Sequence, residues 1–259
     1  MLETVGEVLR YKELVKNLVE RDLKVKYKSS VLGFFWSLLN PLLMLVVYTL
    51  AFQVVLKVPQ EDFAFYFIVA YLPWSFFAQS LALSVGAVVD NAGLVKKVYF
   101  PREILPLSLV LSNFVQFLLT FIVLIPFFVY FHRMPGPSVV VLPLVMVLHI
   151  AFTLGIAMIL ATVYVHFRDT RHFVEILLSI WFWLTPIIYP LDKIQGTVVE
   201  PLMMLNPMAL FVFGYRAILF EGRMPEPLLL LQIAGVSALS LLAGAQVFGR
   251  FKMRFAEAI

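Results

Sequence analysis

Six stretches of the chain are apolar almost without interruption, at residues 31–56, 63–89, 104–131, 139–165, 173–189 and 228–248. A helix needs about 20 apolar residues to cross the hydrocarbon core of a bilayer. Five stretches reach that length; 173–189 is the shortest and draws on flanking residues to complete a crossing. None alternates apolar and polar positions as the strands of a membrane barrel do. The pattern therefore predicts an all-α polytopic membrane protein with six transmembrane helices. A further apolar run, PMALFVFGYRAILF at 207–220, is too short to span and is interrupted by Arg216. Runs of this length are usually re-entrant or interfacial. Residues 190–227 are thus expected to form an external insertion with one or two short helices, ahead of the last span and a tail at 249–259.

Ahead of the first span, VGEVLRYKELVKNLVERDL carries Val5, Val8, Leu9, Val15, Leu18 and Val19 at helical spacing, with charges on the other face. This predicts an amphipathic helix along the inner leaflet, either an anchor or a docking surface for a cytoplasmic partner. Lys24, Lys26 and Lys28 follow as a basic collar within residues 1–28. At headgroup depth lysine stems snorkel and their ammonium groups pair with anionic lipid. Asn40 and Pro41 then fall inside the first span. Proline removes a helical hydrogen bond and invites a kink, which at this depth is tolerated only against protein or a watery cavity.

Composition agrees with the pattern. The chain is 62% hydrophobic, 14% charged, with mean hydropathy +0.94, whereas soluble domains carry roughly 25% charged residues. Cysteine is absent, which excludes disulfides and thiol-ligated metals. The first 28 residues lack the short apolar core of a cleavable signal peptide. With the N-terminus inside, 15 of the 20 Lys and Arg residues fall on the cytoplasmic side, leaving Lys57, Arg133, Lys193, Arg216 and Arg223 outside. That asymmetry favours six spans with both termini cytoplasmic. A seventh span at 207–220 would carry Arg250, Lys252 and Arg254 outside.

The missing chemistry is informative. None of the 12 glycines precedes a lysine, so there is no GxxxxGK[ST] phosphate loop. No nucleophile elbow or HExxH motif occurs. Catalytic residues and a metal site are not expected: the cluster His166, Arg168, Asp169, Arg171 and His172 sets arginines beside its potential ligands, which suits a loop or interface. Glu175 and His149 are too sparse for a proton relay. Power must come from elsewhere. Between spans two and three lies DNAGLVKKVYFPREILPLS, where Asn91 and Gly93 suit a break and Pro101 ends a short helix. It reads either as a basic connecting loop or as a compact contact knob. Small residues in spans four and six, Gly155 and Gly244 among them, allow close helix packing within one chain or between chains.

Three segments together, RDLKVKYKSSVLGFFWSLLNPLL, LVKKVYFPREILPLS and the pair FWLTPIIYP…LNPM, resemble the polysaccharide-exporting branch of the type-two ATP-binding-cassette permeases. This branch includes O-antigen, capsule and teichoic acid permeases. The resemblance implies a single permease domain over 1–259, paired as a homodimer with two copies of a separate ATPase that binds ATP and Mg. It also implies an inner-membrane location and a pore for a lipid-linked glycan. It assigns ATPase docking to the N-terminal helix and the 90–103 loop, with Lys96, Lys97, Tyr99, Phe100, Pro101, Arg102 and Glu103 as candidates. The 190–227 insertion resembles an external gate. Lys24, Lys26 and Lys28 are candidates for the lipid headgroup, and Tyr48, Phe52, Trp181, Trp183 and Tyr189 for an aromatic pore lining. A drug or small-lipid exporter and a membrane-bound transferase are the competing readings.

Overall fold

The computed structural model describes residues 10–27, 33, 35–57, 61–133, 136–189, 196 and 205–259. All regular structure among these residues is helical. Helix α1 (Lys12–Tyr27) precedes the membrane bundle. Span one is α2 (Phe35–Thr49), continued by a π-helical turn at Leu50–Val55. Span two is α3 (Phe63–Ser84). A short helix, α4 (Ala92–Lys97), leads to span three, which is α5 (Ile104–Thr120), a 3-10 turn (Phe121–Val123) and α6 (Leu124–Tyr130). The break falls just before Pro126, whose ring excludes the carbonyl four residues earlier and which has no N–H to donate. Span four is a 3-10 turn (Pro137–Val141) running into α7 (Leu142–His166). Helices α8 (Thr170–Leu184), α9 (Pro207–Leu219), α10 (Pro227–Phe251) and α11 (Phe255–Ala258) complete the order.

Among the described residues, five helical runs are long and apolar enough to cross a membrane: Phe35–Val55, Phe63–Ser84, Ile104–Tyr130, Pro137–His166 and Pro227–Ala258. The protein is thus a multi-pass membrane protein. The fifth expected crossing, at 173–189, is the 15-residue α8 followed by a turn. Thr185 is extended there because the ring of Pro186 disfavours helix in the residue before it. The short helix anticipated at 207–220 is α9. Its side chains are buried against α3, α7 and α10.

Helix α3 forms the centre of the bundle. Phe63, Phe65, Phe67, Ile68 and Phe77 are fully buried on different sides of it, as expected of a helix apolar all round. Span one is at the rim, with Pro41 and Leu45 alone buried along α2. Helices α7 and α10 meet backbone to backbone. A Cβ on Gly155 would lie 2.2 Å from the Ser240 carbonyl oxygen, and one on Gly244 would lie 2.2 Å from that of Gly155. Gly155 and Gly244 therefore serve packing within the chain.

Candidate functional site

Three places carry polar chemistry. The first is a cleft of about 150 Å³ among α1, α2, α3 and α5. Span three lends it Asn113, Gln116 and Thr120, the inner end of a buried polar face on which Ser108, Ser112, Gln116 and Thr120 recur every fourth residue. That spacing stacks them on one helix face. The Asn113 and Gln116 amides donate to the carbonyls of Leu109 (2.9 Å) and Ser112 (3.4 Å), so their oxygens point away from their own helix. Helix α2 adds Ser37 and Asn40, and α3 adds Ser75 and Gln79. The rings of Trp36, Tyr71 and Phe117 supply apolar walls.

Lys26, in the last turn of α1, reaches into this cleft. Its ammonium donates to Gln116 Oε1 at 2.6 Å and Gln79 Oε1 at 3.2 Å. It can do so because α1 packs along α5, with Leu18 buried in the same cluster as Ile104 and Leu105. Gln116 is three turns beyond Ile104. Partial desolvation of the ammonium pulls the Lys26 pKa below the usual lysine value, although the side chain as a whole is exposed. Lys24 is exposed and pairs with Glu20 at 3.4 Å, in the i,i+4 geometry of a solvated helix face. Lys28 lies outside the described residues.

The second place is the end of the bundle that carries α1, α4 and the tail. Val95, Phe100, Phe248 and Phe255 are buried there with Leu18. Glu103 is buried and accepts from Lys252 Nζ at 2.7 Å, while the Arg102 guanidinium donates to the Lys252 carbonyl. Arg21 donates to Asn91 (3.1 Å), and Arg171 pairs with Asp90 (2.8 Å). The loop between spans two and three is thus tied to α1, to α8 and to the tail. Against this fixed base Tyr99 is 94% exposed, and Lys96, Lys97 and Val98 are exposed beside it. A second hollow, of about 280 Å³, runs from Arg10 and Tyr11 past Tyr99 and Pro101 to Met253.

The third place is at the opposite end, where the two halves of FWLTPIIYP…LNPM meet. Asn206 Oδ1 accepts from the Met208 amide (2.9 Å), capping α9, and from the Trp181 indole (2.7 Å). Its amide donates to the Leu184 carbonyl (3.0 Å) and the Thr185 hydroxyl (2.9 Å). Arg216 is buried, donates to the carbonyls of Pro186 (2.6 Å) and Ile187 (2.8 Å), and lies 3.5 Å from the centre of the Tyr66 ring. One end of α8 is thereby stitched to both ends of α9.

The family profile described as "ABC-2 type transporter" matches residues 13–220. The chain belongs to the ABC-2 type transporter family. It is 38% identical over 260 residues to the O-antigen export system permease protein RfbA of Myxococcus xanthus, covering 100% of both chains. Two Klebsiella pneumoniae proteins of the same name are 33% and 34% identical over 247 residues, covering 95% of this chain and 94% of theirs.

Within this ABC-2 permease the expected site residues separate by burial. Lys96, Lys97 and Tyr99 are open, Pro101 and Arg102 are half-buried, and Phe100 and Glu103 belong to the interior. Among the aromatics, Tyr48 is stacked on Phe67 (4.9 Å) and Phe52 on Phe63 (6.1 Å), each half-buried within the subunit. Trp181 is half-buried edge-on to Phe77 (5.1 Å). Trp183 is 53% exposed, and the half-buried Tyr189 donates its hydroxyl to the Trp183 carbonyl. Sequence reasoning missed the polar face of span three, although the four-residue recurrence of Ser108, Ser112, Gln116 and Thr120 is visible in the sequence. It also missed the role of the tail, where Phe248, Phe251 and Phe255 signal a buried helical face. Among the described residues no group of three or more His, Asp or Glu side chains is arranged to hold a metal.

Proposed function

We propose that this chain is the membrane-spanning subunit of an ATP-driven exporter that moves a lipid-linked polysaccharide of the O-antigen kind across the inner membrane. The observation that carries the reading is the similarity over the whole chain to permeases named for O-antigen export. Two copies act with two copies of a separate ATPase, which binds the ATP and Mg. The end bearing α1, α4 and the tail is cytoplasmic, and both termini lie on that side. The basic asymmetry of the sequence supports this orientation.

Docking falls to the exposed Lys96, Lys97 and Tyr99, with Phe100, Pro101, Arg102 and Glu103 fixing the loop behind them. A loop tied to α1, α8 and the tail can pass a push from the ATPase into several helices at once. A floppy connector would absorb it. Lys24, Lys26 and Lys28 draw the anionic headgroup to the membrane surface. The exposed Trp183, with Tyr189 beside it, offers aromatic faces to a passing glycan. Such contacts are worth about 1 kcal/mol each, weak enough to permit sliding.

Deletion of the gene in its own host tests the reading. The expected result is loss of surface polysaccharide, intracellular accumulation of lipid-linked glycan, and restoration of export by the intact gene. Undiminished surface polysaccharide in the deletion strain would overturn it.

A further inference from the structure

The cleft at Lys26 holds a cation that no described carboxylate pairs with. Among the described residues, Lys24 pairs with Glu20 and Lys252 with Glu103, but Lys26 has no carboxylate within ion-pair distance. Its neighbours are two neutral glutamine oxygens, three turns into span three. The Lys26 side chain is exposed at the mouth of the cleft, and the two glutamines use two of its three N–H donors. An arriving anion would take the third in a charge-assisted hydrogen bond.

The remaining walls narrow the class of ligand. Amide and hydroxyl groups of Asn113, Gln79 and Ser37 both donate and accept, and Ser75, whose hydroxyl donates to the Leu72 carbonyl (2.8 Å), still accepts. They match the hydroxyls of a sugar and offer little to an acyl chain. The rings of Trp36 and Phe117 present apolar faces to ring C–H groups. A volume of about 150 Å³ suits one sugar ring rather than an extended glycan. The cleft also borders the rim of the bundle, where the Leu43, Val46 and Val47 side chains of α2 are exposed and apolar. A lipid tail could stay in the bilayer there while its head enters between the helices.

We propose that this cleft is a recognition site for the first sugar of a lipid-linked glycan and the phosphate that joins it to the lipid. Lys26 takes the phosphate, and the amides and hydroxyls of Gln79, Asn113 and Ser75 take the sugar hydroxyls. The proposal rests on the glycan-export reading and adds to it a place where the sugar next to the lipid is read.

The test uses the full chain in lipid nanodiscs. Because the chain has no cysteine, Ser37→Cys introduces a single thiol at the cleft, and its rate of maleimide labelling reports occupancy. The probes are a polyprenyl diphosphate bearing one N-acetylhexosamine, the same lipid without sugar, and inorganic pyrophosphate. The glycolipid should protect the thiol best, the sugar-free lipid less, and pyrophosphate least. Adding Lys26→Gln should weaken both lipids about tenfold, the loss expected when a charged hydrogen bond is removed. Asn113→Leu, and independently Ser75→Ala should Asn113→Leu fail to insert, should weaken the glycolipid alone, by about fivefold. Lys57→Gln, at the other end of the bundle, should change neither. Equal protection by all three probes would overturn the proposal in favour of a simple anion site. Spontaneous disulfides between Ser37→Cys copies that exclude the glycolipid would overturn it in favour of a subunit interface. Unaltered binding in Lys26→Gln would also overturn it. In cells, full export by Lys26→Gln in a strain that needs this gene for export would sink the cleft and leave the exporter reading standing. Export without the gene would sink the exporter reading itself.

Discussion

Asn206 ties the end of α8 to the start of α9, and its truncation gives a quantitative test of the fold at that junction. Asn206→Ala removes the cap on the Met208 amide, the acceptor for the Trp181 indole, and the donor to Leu184 and Thr185. Loss of a helix cap costs about 1 kcal/mol. A shielded indole N–H left unpaired costs about 1–3 kcal/mol more, giving a total of about 2–4 kcal/mol. Asn206→Asp keeps an oxygen for the cap and the indole and sets a negative charge at a helix N-terminus, but it cannot donate to the Leu184 carbonyl. It should recover about half of the loss. Unfolding by SDS titration in mixed micelles, followed by tryptophan emission, measures both variants. An Asn206→Ala protein within about 0.5 kcal/mol of the parent would refute the reasoning. So would an Asn206→Asp protein no more stable than Asn206→Ala.

Gly244→Val should destabilise the bundle by about 1–3 kcal/mol or more in the same titration, because its Cβ meets the Gly155 backbone; Gly249→Ala, with open space around it, should change stability by less than about 0.5 kcal/mol. Phe100→Ala should cost about 3 kcal/mol of stability. Tyr99→Ala should cost almost none, yet uncouple ATP hydrolysis from export in the assembled complex, so normal coupling in Tyr99→Ala would reduce the loop to a connector. A double-mutant cycle over Glu103→Gln and Lys252→Met should return a coupling of about 1–3 kcal/mol, and strict additivity would show that the pair contributes nothing. Reporter fusions at Gly136 and Gly196 should read external and those at Gly93 and the C-terminus cytoplasmic; an external C-terminus would contradict the orientation.

The long spans were legible because uninterrupted hydrophobicity is a direct demand of the bilayer on each segment. Residues 173–189 were harder to read. Hydropathy registers apolar side chains, whereas the end of α8 is set by the backbone restriction that Pro186 imposes on Thr185. The burial of α9 and the partners of Arg216 depend on contacts 29 and 30 residues away in sequence, which no local pattern encodes. The loop at 90–103 was recognisable as a unit, but the split between exposed Tyr99 and buried Phe100 was not. Adjacent aromatics look alike in sequence, and only the packing of Val95, Phe248 and Phe255 decides which one turns inward. The cleft is harder to read because its polar wall is built from neutral serine, asparagine and glutamine side chains that four separate helices bring together. Only the four-residue recurrence of Ser108, Ser112, Gln116 and Thr120 along span three hints at it in the sequence.

Transport by the reconstituted complex tests the central claim most directly. The permease and its partner ATPase are placed together in liposomes, and a glycolipid carrying a long glycan is added to the face that bears the ATPase. The account predicts that glycan reaches the opposite face, measured as protection from a glycosidase added outside, only with ATP, Mg and both proteins present. Transfer with the ATPase alone, or none with both proteins and ATP present, would contradict it.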